Sequence, residues 1–392
     1  MRETVIVEAV RTAVGRRGGG LAGVHPAELL GRAQLELLRR AGVEPDAVGQ
    51  VVGGCVTQVG EQSFNVTRTA WLAAGLPTRV AATTVDTQCG SSQQAAGLAA
   101  ALVASGVVDI AVGCGVEVMS RLPIGANFRK ELGYGRPIPK SYFEHHAFTS
   151  QFEAAERIAA TWGVSREEAD QLALTSHRRA ARAWAEGRFD AQVLAVEAPE
   201  LDSEGRPNGG VRTIARDEGM RETNAGALAQ LKAVMQPDGI HTAGSSSQIS
   251  DGAAAVLFAS AERAESLGLR PRARVVDSCL VGVDPELMLT GPIDATSLLL
   301  QRTGLSMDDI DVVEINEAFA SVVLAWAREC HPDMDRVNPN GGAIALGHPL
   351  GATGAILITK ALAELERTRG RYALITMCCG GGLGTGTVIE RL

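Results

Sequence analysis

The chain has 392 residues, 45% of them hydrophobic and 21% charged, which suits a folded protein of two or three domains. Its 37 basic and 45 acidic residues give a formal net charge of −8, which argues against a general nucleic-acid-binding protein. The seven cysteines form no C-x-x-C pair, and no apolar run has the length of a membrane span or the form of a secretion signal. We therefore expect a cytoplasmic protein that binds neither metal nor membrane.

The first 120 residues alternate between short apolar segments and helical patterns. The apolar segments predict strands at residues 5–9, 48–55, 82–86 and 107–113. Helical spacing, or an alanine-rich composition, predicts helices at residues 27–41, 62–74 and 93–104. Regular alternation of strand and helix favours an α/β fold with a parallel sheet.

The middle of the chain differs in composition, with many prolines, glycines and charges around a helical pattern at residues 165–187. This predicts an inserted loop domain over residues 121–249. The apolar stretch that follows is expected to return to the first half of the molecule. The predicted domains are therefore residues 1–120 with 250–271, residues 121–249, and residues 272–392.

The last third of the chain repeats the plan of the first. Residues 43–58 and 305–320 both show a charged turn, a Val/Ile strand and then a loop. Residues 89–115 and 348–380 both run from a loop through a helix of small residues to a strand that ends in Cys and Gly. Two similar α/β halves, related by duplication, are predicted.

Cys89 follows a predicted strand and stands at the start of a predicted helix. The partial positive charge at a helix N-terminus favours a thiolate, and Gly90 allows a close approach by substrate or backbone. The alternative is a small buried thiol with no chemical role.

His348 stands in a turn flanked by Gly347, Pro349 and Gly351, just before another predicted helix. An imidazole held in this way could serve as a base beside a thiol. The alternative is a structural hydrogen-bonding role.

Two further polar positions follow predicted buried strands. Cys378 precedes the glycine-rich residues 380–386, whose N–H groups could bind an oxyanion, although a tight turn at a sheet edge is the alternative. Only six residues follow Gly386, so no helix follows and a dinucleotide-binding fingerprint is excluded there. Asn316 could orient a water molecule or donate to an oxyanion, or it could simply cap a helix.

Two other patterns carry less weight. Gly18, Gly20 and Gly23 fit the G-x-G-x-x-G pattern, but residues 11–17 separate them from the strand, so dinucleotide binding is not favoured. The run Glu144-His145-His146 contains metal-ligand residue types, but adjacent histidines on a loop rarely converge on one ion.

Taken together, the motifs resemble the thiolase family, the acyl-CoA:acetyl-CoA C-acyltransferases, along the whole chain. The motifs that carry the resemblance are Cys89-Gly90-Ser91-Ser92, Gly244-Ser245-Ser246-Ser247, Asn316-Glu317-Ala318-Phe319-Ala320, the run from Gly347 to Gly354, and Met377-Cys378-Cys379-Gly380. The resemblance implies the thiolase fold, an α/β fold in which two duplicated, five-stranded mixed-sheet halves form a layered αβαβα core with an inserted loop domain. It also implies a homo-oligomer, a dimer or a tetramer.

For catalysis, the resemblance implies four side chains. Cys89 would be the acylated nucleophile, and His348 would take its proton and polarise the thioester. Cys378 would protonate the leaving acetyl-CoA carbanion and deprotonate the incoming CoA. Asn316, through a water molecule, would complete one oxyanion hole with His348.

For binding, the resemblance implies further contacts. The backbone N–H groups of Cys89 and Gly380 would form the second oxyanion hole. Ser247 would lie along the pantetheine arm of CoA, and Arg221 is our candidate for its 3′-phosphate. Acyl-CoA and CoA would be the substrates, with no separate cofactor and no metal.

One departure from the pattern of biosynthetic thiolases indicates the branch of the family to which this chain is expected to belong. Acetoacetyl-CoA thiolases usually carry His-Met-Gly in the loop domain, whereas this chain has Ser150-Gln151-Phe152. Loss of the Met that closes a short pocket favours longer or bulkier acyl chains, as in degradative thiolases of actinobacterial type, some of which act on sterol side chains. A biosynthetic acetoacetyl-CoA thiolase is the alternative, and Cys379 stands where an aliphatic or small residue is expected.

The sequence disfavours three other functions. A ketoacyl synthase shares the fold but uses a second His, or His with Asn, where this chain has Cys378. A noncatalytic acyl-CoA-binding protein would be expected to have lost a catalytic Cys or His. A Cys–His hydrolase would need neither Cys378 nor two oxyanion loops.

Overall fold

The computed structural model describes residues 2–128, 133, 135–235, 237 and 239–392. The strands are β1 Thr4–Thr12, β2 Gly15–Arg16, β3 Gln50–Gly54, β4 Ala81–Val85, β5 Ile110–Val118, β6 Val193–Leu194, β7 Val196–Leu201, β8 Pro207–Ile214, β9 Ser250–Ser260, β10 Ala273–Gly282, β11 Ile310–Ile315, β12 Tyr372–Cys379 and β13 Leu383–Arg391. The helices are α1 Pro26–Ala41, α2 Val66–Ala73, α3 Ser91–Ala104, α4 Gln151–Trp162, α5 Arg166–Ala185, α6 Ala225–Ala229, α7 Ala261–Ser266, α8 Gly291–Thr303, α9 Ala320–Cys330, α10 Ala343–Leu346 and α11 Thr353–Thr368.

The first half of the chain forms a five-stranded mixed sheet in the order β1-β9-β5-β3-β4. Strands β3, β4 and β5 are parallel, while β9 runs antiparallel to both β1 and β5. Strands β5 and β9 are buried along their whole length, which explains why their sequences are continuous runs of Ala, Val and Gly instead of alternating patterns.

The second half repeats this order with strands β10-β13-β12-β11. Within the described residues this half has four strands, whereas five were expected. The position of the fifth is taken by a single parallel bridge between Val313 and Val337. A short antiparallel pairing of β1 with β10, at Val5–Arg274 and Ile6–Ala273, joins the two sheets edge to edge.

Two buried helices, α3 and α11, fill the space between the sheets and contact strands of both. The backbone N–H of Ala355 in α11 donates to the Ser92 hydroxyl in α3 at 3.0 Å. The Gln93 amide reaches the second sheet, where it donates to the carbonyl of Ile375 at 3.0 Å. Helix α1 covers the outer face of the first sheet and α8 that of the second, so the layers run helix, sheet, helix, sheet, helix.

The segment between the halves has its own elements: helices α4 and α5, the β7–β8 hairpin and the short helix α6. Helices α4 and α5 both begin at a serine capping box, at Ser150 and Ser165, where the serine side chain accepts from the N–H three residues later. The boundaries proposed for the three domains stay predictions.

Two predicted elements differ from the structure. The predicted helix 62–74 begins only at Val66, because Asn65 caps it and residues 60–62 form a separate 3₁₀ turn. The glycine-rich residues 380–386 are a loop only over their first part, since Leu383 already begins β13. The glycines of residues 380–386 therefore lie partly in the turn and partly in β13.

Candidate active site

Cys89 lies in the turn between β4 and α3, and its side chain is buried. Gln88, just before it, has a φ of +48°, so this turn is held in a conformation that non-glycine residues rarely adopt. A Cβ on Gly90 would lie 2.6 Å from the Sγ of Cys379, so glycine is required there. Cys379 therefore packs against the turn that carries Cys89.

His348 is held at both ring nitrogens in the turn before α11. Its Nδ1 lies 2.7 Å from the Thr353 hydroxyl, and that hydroxyl donates to the carbonyl of Pro349. The hydroxyl proton is thus already used, so Nδ1 must be the protonated nitrogen and donates to the Thr353 oxygen. The Nε2 atom keeps its lone pair, which makes His348 an acceptor on that side.

Asn316 follows directly after β11 and is fully buried. Its Nδ2 lies 3.3 Å from the Nε2 of His348, so the amide donates to the imidazole. Its Oδ1 has no hydrogen-bond partner among the described residues. The helix-cap alternative is wrong, because α9 begins at Ala320 with Phe319 in the capping position.

Cys378 lies at the end of β12, and the turn after it brings a backbone donor to Cys89. The Cys378 side chain is fully buried and close enough to Cys89 for a charge on Cys89 to raise the pKa of Cys378. The Cys89 sulfur accepts hydrogen bonds from its own N–H and from that of Gly380. These are the two N–H groups that the sequence predicted to face one oxyanion.

The thiols and the imidazole are uncharged at neutral pH. Burial raises the pKa of Cys89 to about 11, although the N–H groups of Gly380 and Cys89 act in the opposite direction. Burial lowers the pKa of His348 to about 4. Burial and the nearby Cys89 also raise the pKa of Cys378 well above its usual range. The resting site therefore holds neutral thiols beside a neutral base, not the thiolate that the helix N-terminus was expected to favour at Cys89, and it develops charge only during reaction.

Cys89, His348 and Cys378 share one cavity of about 600 Å³. Ser247 and Arg221, the predicted CoA contacts, line the same cavity. Asn316 and Gly380 are not among its lining residues: Asn316 contacts His348, and the N–H of Gly380 contacts the Cys89 sulfur. The structure thus brings all seven predicted site residues to one place.

Several contacts of this cavity were not predicted from the sequence. Phe319 and Phe152, which the motifs name without a contact between them, pack edge to face across its wall with ring centroids 5.0 Å apart. Thr353 sets the tautomer of His348, and its place five residues after that histidine was the available signal. Arg16 and Arg17 also line the cavity and had been treated only as a spacer.

The other sequence patterns supply no cofactor or metal contact among the described residues. Gly18 and Gly20 lie between β2 and α1, but their N–H groups already donate to Ser120 and Glu218 and are not free to bind a pyrophosphate, which agrees with the expectation against dinucleotide binding. Among the described residues, no group of His, Cys, Asp and Glu side chains is arranged to hold a metal ion. Within the same residues, no helix is long and apolar enough to cross a membrane.

Comparison with known proteins matches the whole chain to one family. The model of the thiolase N-terminal domain matches residues 4–262, and that of the thiolase C-terminal domain matches residues 269–391. A steroid 3-ketoacyl-CoA thiolase of Mycobacterium tuberculosis is 48% identical, over 100% of this chain and 95% of the relative. A beta-ketoadipyl-CoA thiolase of Escherichia coli is 41% identical over the full length of both chains.

The fold agrees with these sequence matches. The crystal structure of an acetyl-CoA acetyltransferase of Bacillus anthracis superposes with a TM-score of 0.92 at 36% identity, covering 100% of this chain and 99% of that one. Family models, relatives and fold agree along the full length, and the chain belongs to the thiolase family of acyltransferases.

Proposed function

We propose that this thiolase cleaves 3-oxoacyl-CoA with CoA, giving acetyl-CoA and an acyl-CoA shortened by two carbons. The observation that carries the proposal is the convergence of two thiols, Cys89 and Cys378, with a neutral imidazole acceptor, His348, on one cavity. A single thiol cannot be both the covalent anchor and the proton donor to a carbon leaving group. The presence of both thiols and the histidine also disfavours a ketoacyl synthase, a hydrolase and a noncatalytic binding protein.

In the first half-reaction, the Cys89 sulfur attacks the 3-oxo carbon while its proton passes to His348 Nε2, where it displaces the N–H that Asn316 donates in the resting site. The bond between carbons 2 and 3 then breaks, and its electron pair goes to the acetyl-CoA carbanion. Cys378 gives that carbanion a proton. The products are acetyl-CoA, an acyl thioester on Cys89, an imidazolium at His348 and a thiolate at Cys378.

In the second half-reaction, the thiol of CoA gives its proton to the Cys378 thiolate and attacks the acyl group. The thioester bond to Cys89 breaks as the new bond to CoA forms. The Cys89 sulfur recovers its proton from His348, so every group returns to its starting state. The same steps in reverse constitute a Claisen condensation.

Two oxygens gain negative charge along this path, and the site offers donors for both. The N–H groups of Cys89 and Gly380 already converge on the sulfur of Cys89, so a tetrahedral oxyanion formed there is within their reach. Asn316 Oδ1, buried and without a partner in the described part of the chain, can hold a water molecule that donates to the thioester oxygen beside His348.

Coenzyme A enters as a substrate, with no separate cofactor. Ser247 is fixed by a backbone hydrogen bond, N–H to the carbonyl of Ala318 at 2.9 Å, and so places its side chain along the cavity where the pantetheine arm would lie. Arg221 is exposed at the cavity and suits a phosphate.

The residues of the cavity favour a degradative thiolase that acts on long or bulky acyl chains. Gln151 stands where the biosynthetic pattern places the methionine that closes a short pocket, and Phe152 beside it packs against Phe319 in the cavity wall. The relatives named for steroid 3-ketoacyl-CoA and beta-ketoadipyl-CoA share more sequence with this chain than the acetyl-CoA acetyltransferase does. Biosynthetic acetoacetyl-CoA synthesis remains the competing function within the family.

The assembly proposed is a cytoplasmic homodimer, alone or within a tetramer, formed through strand β4. This strand ends the first sheet, and its outer edge pairs with no other described strand. Phe64, just before α2, is 94% exposed, and the side chain of the next residue, Asn65, donates to the carbonyl of Ala82 in β4. An open edge beside an exposed aromatic side chain is normally covered, and antiparallel pairing of two β4 strands would cover both.

A substrate panel tests the function directly. Acetoacetyl-CoA, medium and long linear 3-oxoacyl-CoA and one steroid-ring 3-oxoacyl-CoA are incubated with CoA, and Cys89→Ala serves as the inactive control. We expect cleavage of the long or bulky members and its loss in the variant. A tenfold preference in kcat/KM for acetoacetyl-CoA would overturn the degradative assignment, and no cleavage of any member by folded protein would overturn the thiolase activity.

A further inference from the structure

We propose that Arg16 and Arg17 form an anion-binding contact at the mouth of the cavity, which takes a charged oxygen group of the acyl-CoA. The group is a phosphate of the CoA moiety or a carboxylate at the far end of the acyl chain. The inference rests on the proposed function for the identity of the ligand. It assigns a role to two residues that lie outside the family motifs described above.

The first observation is the charge of the cavity. Arg16, Arg17 and Arg221 line it, and no aspartate or glutamate among the described residues does so. None of the three guanidinium groups has an ion pair or a hydrogen bond within the described part of the chain. By contrast, Arg121, on a neighbouring loop, is neutralised by a bidentate ion pair with Glu61.

The second observation is that the backbone beneath these arginines is fixed. Arg16 pairs with Ser250 in the β2–β9 ladder, and the hydroxyl of Ser250 accepts the N–H of His348 at 3.0 Å. The carboxylate of Glu218 accepts the N–H groups of Arg16 and Gly20. The arginines are therefore anchored to the segment that carries His348.

The turn itself depends on glycine. Gly18 has a φ of +64°, and its N–H donates to the hydroxyl of Ser120 at 2.9 Å. A Cβ on Gly19 would lie 2.2 Å from Glu218 Oε2 and would break that anchor. The glycine run after Arg17 thus has a structural reason, which is to fold the turn against Glu218 and leave both guanidinium groups at the cavity.

The third observation is the charge of the whole protein. With a net charge of −8, its long-range field repels an acyl-CoA, which carries several negative charges on its phosphates. A local cluster of arginines without ion-pair partners among the described residues places positive charge where the ligand arrives. Guanidinium groups suit both phosphate and carboxylate because they donate two parallel hydrogen bonds.

The test compares substrates that differ in one charged group at a time. They are 3-oxohexanoyl-CoA, 3-oxoadipyl-CoA, which adds a terminal carboxylate to the same chain, and the N-acetylcysteamine thioester of 3-oxohexanoate, which lacks the phosphates. The variant is Arg16→Gln with Arg17→Gln. Its matched control is Arg212→Gln with Arg270→Gln, which removes the same charge at two exposed arginines away from the cavity.

We expect the cavity variant to raise KM about three- to tenfold at low salt, with kcat within about twofold. The control variant should leave KM unchanged. The variant Arg16→Lys with Arg17→Lys, which keeps the positive charge, should show a smaller rise in KM than the glutamine variant. Added salt should reduce the difference in KM between the wild type and the cavity variant.

A rise in KM for both CoA thioesters but not for the phosphate-free thioester identifies a CoA phosphate as the group that is bound. A rise in KM confined to 3-oxoadipyl-CoA identifies the carboxylate of the acyl chain. Equal effects on all three substrates, or none, would overturn the proposal.

A binding measurement separates this proposal from the proposed function. Calorimetric titration of the wild type and the two glutamine variants with CoA and with pantetheine needs no turnover. If the cavity variant weakens the binding of CoA but not of pantetheine, the phosphate contact stands even for a protein that cleaves no 3-oxoacyl-CoA. The opposite result is also clear. If the wild type cleaves 3-oxoacyl-CoA but all three proteins bind CoA equally, and if the cavity variant shows no specific loss with 3-oxoadipyl-CoA, then the anion contact is wrong while the proposed function stands.

Discussion

At the scale of single residues, the site is a set of neutral groups held in fixed orientations. His348 can accept a proton at Nε2 because Thr353 occupies Nδ1, and Cys89 keeps its proton because burial outweighs two N–H donors. The free enzyme therefore holds a thiol and not a thiolate at Cys89, and the thiol must lose its proton to His348 when the substrate is attacked.

The protonation state of Cys89 gives a first prediction. Because burial raises its pKa to about 11, the thiol should be protonated throughout the neutral range, and its thiolate fraction should rise about tenfold for each pH unit below that value. The rate of iodoacetamide labelling at Cys89, followed by peptide mass spectrometry in the free enzyme, should still increase between pH 8 and 9. A rate that levels off below pH 8 would show a stable thiolate and contradict this account.

The orientation of His348 gives a second prediction. Replacing Thr353 with Val keeps the side-chain shape but removes the acceptor for Nδ1–H, so the imidazole can turn or change tautomer. We expect kcat to fall on the order of tenfold to a hundredfold with a smaller change in KM. Thr359→Val, nearly two turns further along α11, loses only a bond to the carbonyl of Ala355 and should stay close to wild type. Equal activity of the two variants would exclude the proposed role of Thr353.

The residues of the site differed in how far the sequence could reveal them. Cys89, His348, Asn316 and Cys378 stand in local motifs that predicted their chemistry. The contact of Arg16 with the cavity depends on the pairing of β2 with β9, more than two hundred residues away, and no local pattern encodes it.

At the scale of elements, the site depends on how closely α3 and α11 cross between the sheets. Cys89 precedes α3 and His348 precedes α11, so the distance between the two helices sets the distance between the nucleophile and its base. The order of strands and helices could be predicted from the sequence, because buried strands and alanine-rich helices have local signatures. The missing fifth strand could not, since a single bridge at Val337 leaves almost no pattern.

Gly354 lies at the closest approach of α11 to α3. A Cβ at this position would lie 2.2 Å from the backbone N of Gln93, and backbone cannot give way as a side chain does. We expect Gly354→Ala to destabilise the protein by about 1–3 kcal/mol in chemical denaturation and to lower kcat. Gly97→Ala in α3 is the control, because its nearest neighbour would be the Ser278 hydroxyl at 3.3 Å and alanine favours helix. A stable, fully active Gly354→Ala variant would show that the crossing is not tight.

At the scale of the whole molecule, two similar halves supply different parts of one site. The first half contributes Cys89, and the second contributes Asn316, His348 and Cys378. The first sheet ends at the open edge of β4, close in sequence to Cys89, so subunit contact and catalysis would meet on one element.

The proposed dimer gives a prediction at this scale. Thr83→Lys places a charge on the exposed face of β4, and like charges facing each other across a two-fold contact should weaken it. Light scattering after gel filtration should then show a shift to smaller species at micromolar concentration. Thr213→Lys, on the exposed strand β8, should not change the mass. A wild type that is monomeric, or a Thr83→Lys variant with unchanged mass, would argue against β4 as the interface.

The measurement that tests the central claim most directly is the mass of the enzyme after a single turnover. The protein is mixed with a 3-oxoacyl-CoA in the absence of free CoA, and its intact mass and peptides are analysed at once. We predict one equivalent of acetyl-CoA and one acyl group bound as a thioester to Cys89, with no adduct in Cys89→Ala. An acyl group mapped to Cys378, or release of acetyl-CoA with no covalent adduct at any time, would contradict the division of roles between the two thiols.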